Sequence, residues 1–327
     1  MCNRHMMDWL SNLKGEGAMQ VVHGYDHVPR PARGAVLAIG NFDGVHRGHQ
    51  ALLARAKGIA KPLKAQAGVL AFEPHPRTVF QPGRPHFRLT TIAQRIALFQ
   101  RFGLDLTVVL PFDRKLAELT AEAFIERVLV AGLGIKHAVI GYDFHFGKDR
   151  GGSPQSLMAA GKEMGFGVAV VDPVAEGGEV VSSSAIRAEL AQGDIEGATA
   201  LLGHTWRVAG EVKGGAKRGT GMGYPTANIG LAPGTALAHG IYAVKVHVGN
   251  KVHDGAAYLG TRPTFDNGDS VLETFLFDFD GNLYGKMIEL EFVGFIRGDR
   301  KFESTEALVA QMDKDVARAR VILAGAK

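Results

Sequence analysis

Two histidines three residues apart, His46 and His49, lie in the run Gly40-Asn41-Phe42-Asp43-Gly44-Val45-His46-Arg47-Gly48-His49. The run follows an apolar segment, Ala35-Val36-Leu37-Ala38-Ile39, and leads into the helical pattern Gln50-Ala51-Leu52-Leu53-Ala54-Arg55-Ala56. A buried strand that passes through a glycine-rich turn into a helix is a place to hold a phosphate chain, because free backbone N–H groups and the positive end of the helix dipole meet there. Glycine lets that backbone approach a ligand closely. Imidazoles at i and i+3 face one way and can donate to phosphate oxygens as these gain charge. The plain alternatives are an Asp-Gly turn carrying surface histidines, or a metal pair. A zinc site needs further nitrogen, sulfur or carboxylate ligands, and no second group clusters nearby in sequence. Phosphate binding fits better, which makes a nucleotide the first ligand to consider.

A second set of chemistry-bearing residues lies in the other half. Lys213-Gly214-Gly215-Ala216-Lys217-Arg218-Gly219-Thr220-Gly221-Met222-Gly223 is glycine-rich and basic, and Tyr224-Pro225-Thr226-Ala227-Asn228 follows it. It is no P-loop, since no Gly-Lys precedes Ser or Thr at the required spacing, and Tyr224 stands where a dinucleotide fingerprint needs its third glycine. A flexible hairpin loop and a flap over phosphates both remain open. Thr226 and Asn228, alternate residues on an extended segment, send oxygens to one side, where a Mg²⁺ bridging phosphates could use them. Period two in Val271-Leu272-Glu273-Thr274-Phe275-Leu276-Phe277 puts Glu273 on a face with Val271, Phe275 and Phe277, although Leu272 and Leu276 are apolar too. A carboxylate among such neighbours is costly unless partnered, and buried acids are rarely idle. Asp278-Phe279-Asp280-Gly281-Asn282 misplaces the glycine of a calcium loop, and Asp280-Gly281 reads as a hairpin turn.

The elements that must position these residues come in two textures. Val36 to Ile39, Ala67 to Phe72, Leu106 to Val109, His137 to Ile140 and Val168 to Val171 read as strands, with helical patterns such as Ile92 to Phe99 and Ala123 to Val130 between them. This alternation predicts a parallel sheet covered on both faces, with ligands beyond the carboxyl ends of its strands. Glu73-Pro74-His75-Pro76 and the Gly141 to Gly147 segment fall there as well. After about Leu202 come short alternating segments broken by glycine: Trp206 to Val212, Ile241 to Val248, Val252 to Tyr258, Val271 to Asp278 and Met287 to Ile296. They predict an antiparallel barrel or sandwich, followed by a helix from about Thr305 to Leu323. The boundary falls within Ala188 to Gly203, a helical hairpin interrupted at Gly193-Asp194.

Composition frames the rest. The chain has 327 residues, long enough for two domains, with 46% hydrophobic and 21% charged residues, an ordinary globular mixture. Its 37 basic and 33 acidic residues leave a net charge of only +4 with no dense basic block, so charge names no nucleic-acid partner. Cys2 is the one cysteine, which excludes an internal disulfide and a thiolate metal cluster. No run of eighteen apolar residues suggests a membrane span, and the expected compartment is the cytoplasm. The first eighteen residues read as an extension without a catalytic role, or as a start placed too early, ahead of a first strand near Met19 to Gly24.

Together the motifs closely resemble the prokaryotic bifunctional riboflavin kinase/FAD synthetase (FMN adenylyltransferase) family, from roughly Met19 to the C-terminal helix. The first part carries Phe42-Asp43-Gly44 with His46 to His49, Phe72 to Pro76, Asp143 to Gly147 and Ser182-Ser183-Ser184-Ala185-Ile186-Arg187. The second carries Pro225 to Asn228, Gly260-Thr261-Arg262-Pro263-Thr264-Phe265, Glu273-Thr274 and Asp278 to Gly281. The resemblance implies an α/β, Rossmann-like, doubly wound nucleotidyltransferase domain over residues 19–187. It implies an antiparallel β-barrel riboflavin kinase domain with a C-terminal helix over residues 188–327.

It further implies that ATP phosphorylates riboflavin to FMN and that a second ATP adenylylates FMN to FAD with loss of pyrophosphate. Riboflavin, FMN, FAD and ATP would then be substrates and products, with no permanently bound cofactor, no nucleic acid and no membrane. In the first domain it implies ATP contacts at Gly40, Asn41, Phe42, Asp43, Gly44, His46, His49, Asp143, Ser183, Ser184 and Arg187, with flavin near Glu73, Pro74, His75 and Pro76. In the second it implies a flap through Gly219, Gly221 and Gly223, Thr226 and Asn228 at Mg²⁺-ATP, and Glu273 as general base. Three positions depart from the family pattern: Phe275 replaces a common histidine, Tyr258 a usual asparagine and Thr220 a usual arginine. Two rivals are an enzyme whose second domain only binds flavin, and a flavin-responsive nucleic-acid regulator; the chain lacks a basic recognition helix for the latter.

Overall fold

A computed structural model describes residues 19–213, 226–261 and 270–326. The described residues form two compact units. One comprises the described residues up to His86 with Thr90–Val181, and the other comprises Phe87–Leu89 with the described residues from Ser182 onward.

The first unit is built on six strands: β1 (Gln20–His23), β2 (Val36–Ile39), β3 (Ala67–Glu73), β4 (Leu106–Pro111), β5 (His137–Gly141) and β6 (Gly167–Val171). Every pairing is parallel and the order is β1-β4-β3-β2-β5-β6. Strands buried on both faces need continuous apolar runs, and β2 is buried throughout. One core, with Leu37, Ile39, Leu70 and Val108, lies on one side of the sheet. The other, with Val36, Ala38, Val69 and Phe99, lies opposite. Helices α1 (Arg47–Ala60), α2 (Ile92–Arg101) and α3 (Pro154–Met164) supply part of the cover. The order reverses between β2 and β5, which opens a crevice at their carboxyl ends. The helix expected over Ala123 to Val130 differs in kind: Ala121–Ala123 is α-helical and Phe124–Gly132 winds as a wider π-helix, still burying Phe124, Ile125, Val128 and Leu129.

The second unit contains a closed antiparallel barrel. Its strands are β7 (Arg207–Lys213), β8 (Thr226–Gly230), β9 (Gly240–Val248), β10 (Lys251–Thr261), β11 (Ser270–Leu276) and β12 (Met287–Gly298), in the order β8-β11-β10-β9-β12-β7. Closure removes the exposed edges that an open sheet would leave. Alternation fills the inside with Ile229, Tyr242, Val244, Leu259, Leu272 and Phe292. The extended segment at Thr226 is thus a sixth barrel strand. Asp280-Gly281 is not a hairpin turn, because β11 pairs with β8 and β10 while β12 pairs with β9 and β7. Strands that are not neighbours need a longer connection, and its turns fall at Asp278 (φ 54°) and Gly285 (φ 73°).

Helix α4 (Ser183–Gln192) packs on α5 (Ile195–Leu202) in this unit, and α6 (Thr305–Gly325) lies on the barrel wall. Ala319 and Leu323 of α6 join Ala243, Phe275 and Phe277 in a small core. Arg297 fixes the helix with a forked pair of bonds to Asp315, Nη2 to Oδ2 at 2.7 Å and Nε to Oδ1 at 3.0 Å. No helix among the described residues is long and apolar enough to cross a membrane.

On the barrel exterior, Glu291 accepts from Thr205 Oγ1 at 2.9 Å, from Arg207 Nη2 at 2.6 Å and from His247 Nε2 at 2.8 Å. Burial pushes its carboxyl up, but the bonds from His247, Arg207 and Thr205 outweigh it and hold the pKa at about 2. A carboxylate depressed on folding contributes stability that is complete above its unfolded value of 4.5 and lost as pH falls through about 2. The stability difference between the protein and Glu291→Gln, measured by urea unfolding, should therefore shrink by up to about 3 kcal/mol between pH 5 and pH 2. A difference that stays constant with pH would show that the carboxylate is not held by these bonds.

Candidate functional site

The turn after β2 is shaped by backbone that only special residues adopt readily. Phe42 (φ 52°), Gly44 (φ 86°) and Val45 (φ 45°) all take left-handed conformations, a costly one for a β-branched valine. Such strain persists only where the surroundings over-determine it. Phe42 is fully buried against Phe99, ring to ring at 5.5 Å, and against His49 at 5.0 Å. Asp43 is buried and its Oδ1 accepts from the N–H of Thr90 at 3.0 Å, while Gly44 N–H donates to Thr90 Oγ1 at 2.9 Å. The side chains of Phe42 and Asp43 are thus committed to holding the turn. Its backbone, with Gly40, Asn41 and Gly44, is what can face a ligand.

His46 caps α1, its Nδ1 accepting from His49 N–H at 3.3 Å, which puts the proton of the neutral ring on Nε2. The two imidazoles stack with centroids 3.6 Å apart, as their spacing predicts. A Cβ on Gly48 would stand 3.1 Å from the His46 ring, so glycine is what lets the ring lie there. Burial, then the neighbouring His46, then Arg95 hold the His49 pKa well below the usual histidine range. His49 is a neutral imidazole at pH 7, and its Nδ1 is enclosed without a hydrogen-bond partner. Asn41 Oδ1 is enclosed in the same way.

Arg95, on α2, is 1% exposed and binds two strand ends at once: its Nη1 donates to the Asn41 carbonyl at 2.6 Å and its Nη2 pairs with Glu73 Oε2. Glu73, expected beside flavin, carries this ion pair. His75 Nδ1 accepts from Arg77 N–H at 3.1 Å and caps the short helix Pro76–Phe80, whose last residue, Phe80, is 64% exposed. Asp143 is exposed just past β5, its Oδ1 3.2 Å from where a Cβ on Gly141 would stand. Ser183, Ser184 and Arg187 lie on α4 in the second unit, where Arg187 Nε donates to the Phe87 carbonyl at 2.6 Å. The turn also depends on Thr90 and Arg95, which no motif marks. Arg95 carried a signal, since it stands on the same stripe as Ile92 and Phe99, where an unpaired guanidinium could not stay.

In the barrel, Glu273 on β11 stands directly opposite Asn228 on β8 and opposite Tyr258 on β10. Thr226 is opposite Phe275 on the same outward face. Leu272, Thr274 and Leu276 point inward, so the uncertain facing resolves with Glu273 half-buried on the barrel wall. Asn228 is buried and its Oδ1 has no hydrogen-bond partner among the described residues. A cavity of about 320 Å³ opens beside Thr226, lined also by Val212, Leu276, Phe279, Asp280 and Tyr284 among others, though not by Glu273 or Asn228. Tyr258 folds over Gly260 and bonds to Asp299. Burial above all, then Asp299 and Glu273, push its phenol up to about 12. Gly219, Thr220, Gly221 and Gly223, and Arg262 to Phe265, lie outside the described residues.

Residues 28–185 match the FAD synthetase family model, and residues 202–323 match the riboflavin kinase model. A bifunctional riboflavin kinase/FMN adenylyltransferase from Pseudomonas fluorescens is 40% identical over 94% of this chain and 98% of its own. The Escherichia coli K12 protein of the same name is 37% identical over 92% of this chain and 97% of its own. A Streptococcus pneumoniae crystal structure titled as a macrolide-efflux protein shares the architecture at a TM-score of 0.81, 28% identical over 92% of this chain and 98% of that one. Two domain matches in order and relatives that are similar end to end agree with the two sites described. The chain belongs to the bifunctional riboflavin kinase/FMN adenylyltransferase family.

Proposed function

We propose that this chain makes FAD from riboflavin in two ATP-dependent steps, each in its own unit. The barrel phosphorylates riboflavin to FMN, and the parallel-sheet unit adenylylates FMN to FAD with release of pyrophosphate. One observation supports it most: among the described residues, the enclosed side-chain polar atoms that lack a hydrogen-bond partner include, beside those of Gln66, His137 and Thr274, three on residues singled out for chemistry. These three are Asn41 Oδ1 and His49 Nδ1 in one unit and Asn228 Oδ1 in the other. Buried polar atoms without partners are rare, and they gather where a ligand completes the set. The functional partition we propose, residues 19–187 for adenylyl transfer and 188–327 for phosphorylation, follows the motifs. The need for ATP twice argues for the cytoplasm.

For adenylyl transfer, the ATP phosphates lie along the turn from Gly40 to Gly44, with His46 and His49 donating to oxygens that gain charge as pyrophosphate leaves. A neutral His49 suits this work, since it offers an N–H without the desolvation cost of a buried cation. The flavin lies toward Glu73 to Pro76, and Asp143 attends the nucleotide. For phosphorylation, Glu273 accepts the proton of the ribityl 5′-hydroxyl as its oxygen attacks the γ-phosphorus. Thr226 and Asn228 offer neutral oxygen donors that would hold a Mg²⁺, which would supply charge neutralisation to the transferring phosphate.

Two substitutions should separate the reactions. His49→Ala should lower FAD formation from FMN by roughly two to three orders of magnitude while FMN formation from riboflavin persists, both read by product chromatography. Equal loss of both activities, or unchanged FAD formation, would remove the proposed role. Glu273→Gln should lower the kinase kcat by about 10²- to 10⁴-fold with little change in riboflavin KM, and leave FAD synthesis from supplied FMN intact. A variant that phosphorylates riboflavin within about threefold of the unmodified rate, well below a general base's usual worth, would leave Glu273 a structural carboxylate.

A further inference from the structure

Arg47 is the first residue of α1, immediately after the capping His46. A cation at that end of a helix opposes the dipole, and the first turn of α1 holds no acid to balance it. A carboxylate comes from elsewhere: Arg47 Nε lies 3.7 Å from Glu176 Oε2, with the side chains 44% and 43% exposed. Glu176 stands on a small hairpin, Ala175–Glu176 paired with Glu179–Val180, turned through Gly177 and Gly178 at φ 59° and 89°. Its root closes with Val181 N–H donating to the Val174 carbonyl at 2.9 Å. The Val181 carbonyl lies 3.6 Å from where a Cβ on Gly48 would stand, so the hairpin springs from beside the first turn of α1. Strands this short are marginal by themselves. Here the cross-strand partners are Glu176 and Glu179, like charges set directly opposite each other. The hairpin is weakly held, and its carboxylate stands where the helix end favours an anion.

We propose that Glu176 stands in for the phosphates of ATP, holding Arg47 until the nucleotide arrives. The phosphate chain then takes the guanidinium from Glu176, the two carboxylates are repelled, and the hairpin moves aside. Arg47 becomes a positioning residue for the phosphates beside His46 and His49. The proposal rests on the reading of this unit as the adenylyl-transfer site.

The test is the dependence of FAD formation on ATP concentration, from supplied FMN, in Glu176→Gln, Arg47→Ala, Arg47→Lys and the Glu176→Gln/Arg47→Ala pair. FMN formation from riboflavin, carried by the other unit, checks folding. Removing a competing carboxylate should tighten binding, so Glu176→Gln is expected to lower the ATP KM by about two- to fivefold, the worth of one exposed ion pair, at unchanged kcat. Arg47→Ala should raise the ATP KM, and Arg47→Lys should fall between it and the unmodified protein. In the Arg47→Ala background, Glu176→Gln should have no further effect, since it acts through Arg47. A Glu176→Gln variant whose ATP KM is unchanged or raised, or an equal gain without Arg47, would overturn the proposal. Absence of FAD formation by the unmodified protein would instead strike the underlying assignment, a result distinct from either.

Discussion

A guanidinium that is 1% exposed must be surrounded by acceptors, because an unpaired buried charge costs several kcal/mol. Arg95 meets that demand with the Asn41 carbonyl and the Glu73 carboxylate, and so binds the ends of β2 and β3 to the start of α2. The neighbouring Thr90 ties Asp43 and Gly44 to the same place. With those two anchors set, the turn can keep three left-handed residues within four positions, and α1 begins where His46 can cap it. The same charge helps to keep His49 neutral. One buried cation thus holds the shape of this turn and adds, after burial and His46, to what keeps His49 neutral.

The barrel solves a different problem. The chemistry proposed for it needs a carboxylate and two neutral oxygens held together on a surface, and a closed sheet supplies this through register alone. Asn228 and Glu273 are direct cross-strand partners, so their side chains emerge on the same face a few ångströms apart. Closure makes each strand a central one, and the inward alternates, Ile229, Leu272 and Leu276, hold that register by burial. Slipping one residue would turn Glu273 into the core. Helix α6, fixed through Arg297 and Asp315, covers the adjacent outer face near Phe275 and Phe277.

Much of this was legible because the decisive signals are local. Five strands of the parallel sheet announce themselves as apolar runs, and the glycine turn with its two histidines predicts its own place at the end of β2. What escaped depends on contacts between distant segments. Nothing near Asp43 says that its carboxylate turns inward to Thr90, 47 residues away. The role of Arg95 requires knowing that Glu73 ends a neighbouring strand. Glu273 could not be assigned a side while apolar residues stood at both parities, because period two fixes alternation but not direction. The hairpin reading of Asp280-Gly281 failed for a related reason: turn chemistry identifies a loop without saying which strands it joins.

The central claim is that two different phosphorus atoms of ATP are transferred by two sites on one chain. It is tested most directly by supplying riboflavin, Mg²⁺ and ATP labelled with ³²P at either the γ or the α position, then separating the flavins. The account predicts γ label in FMN, retained in FAD, and α label in FAD alone. Label from the α position in FMN, or FAD carrying neither label, would contradict it.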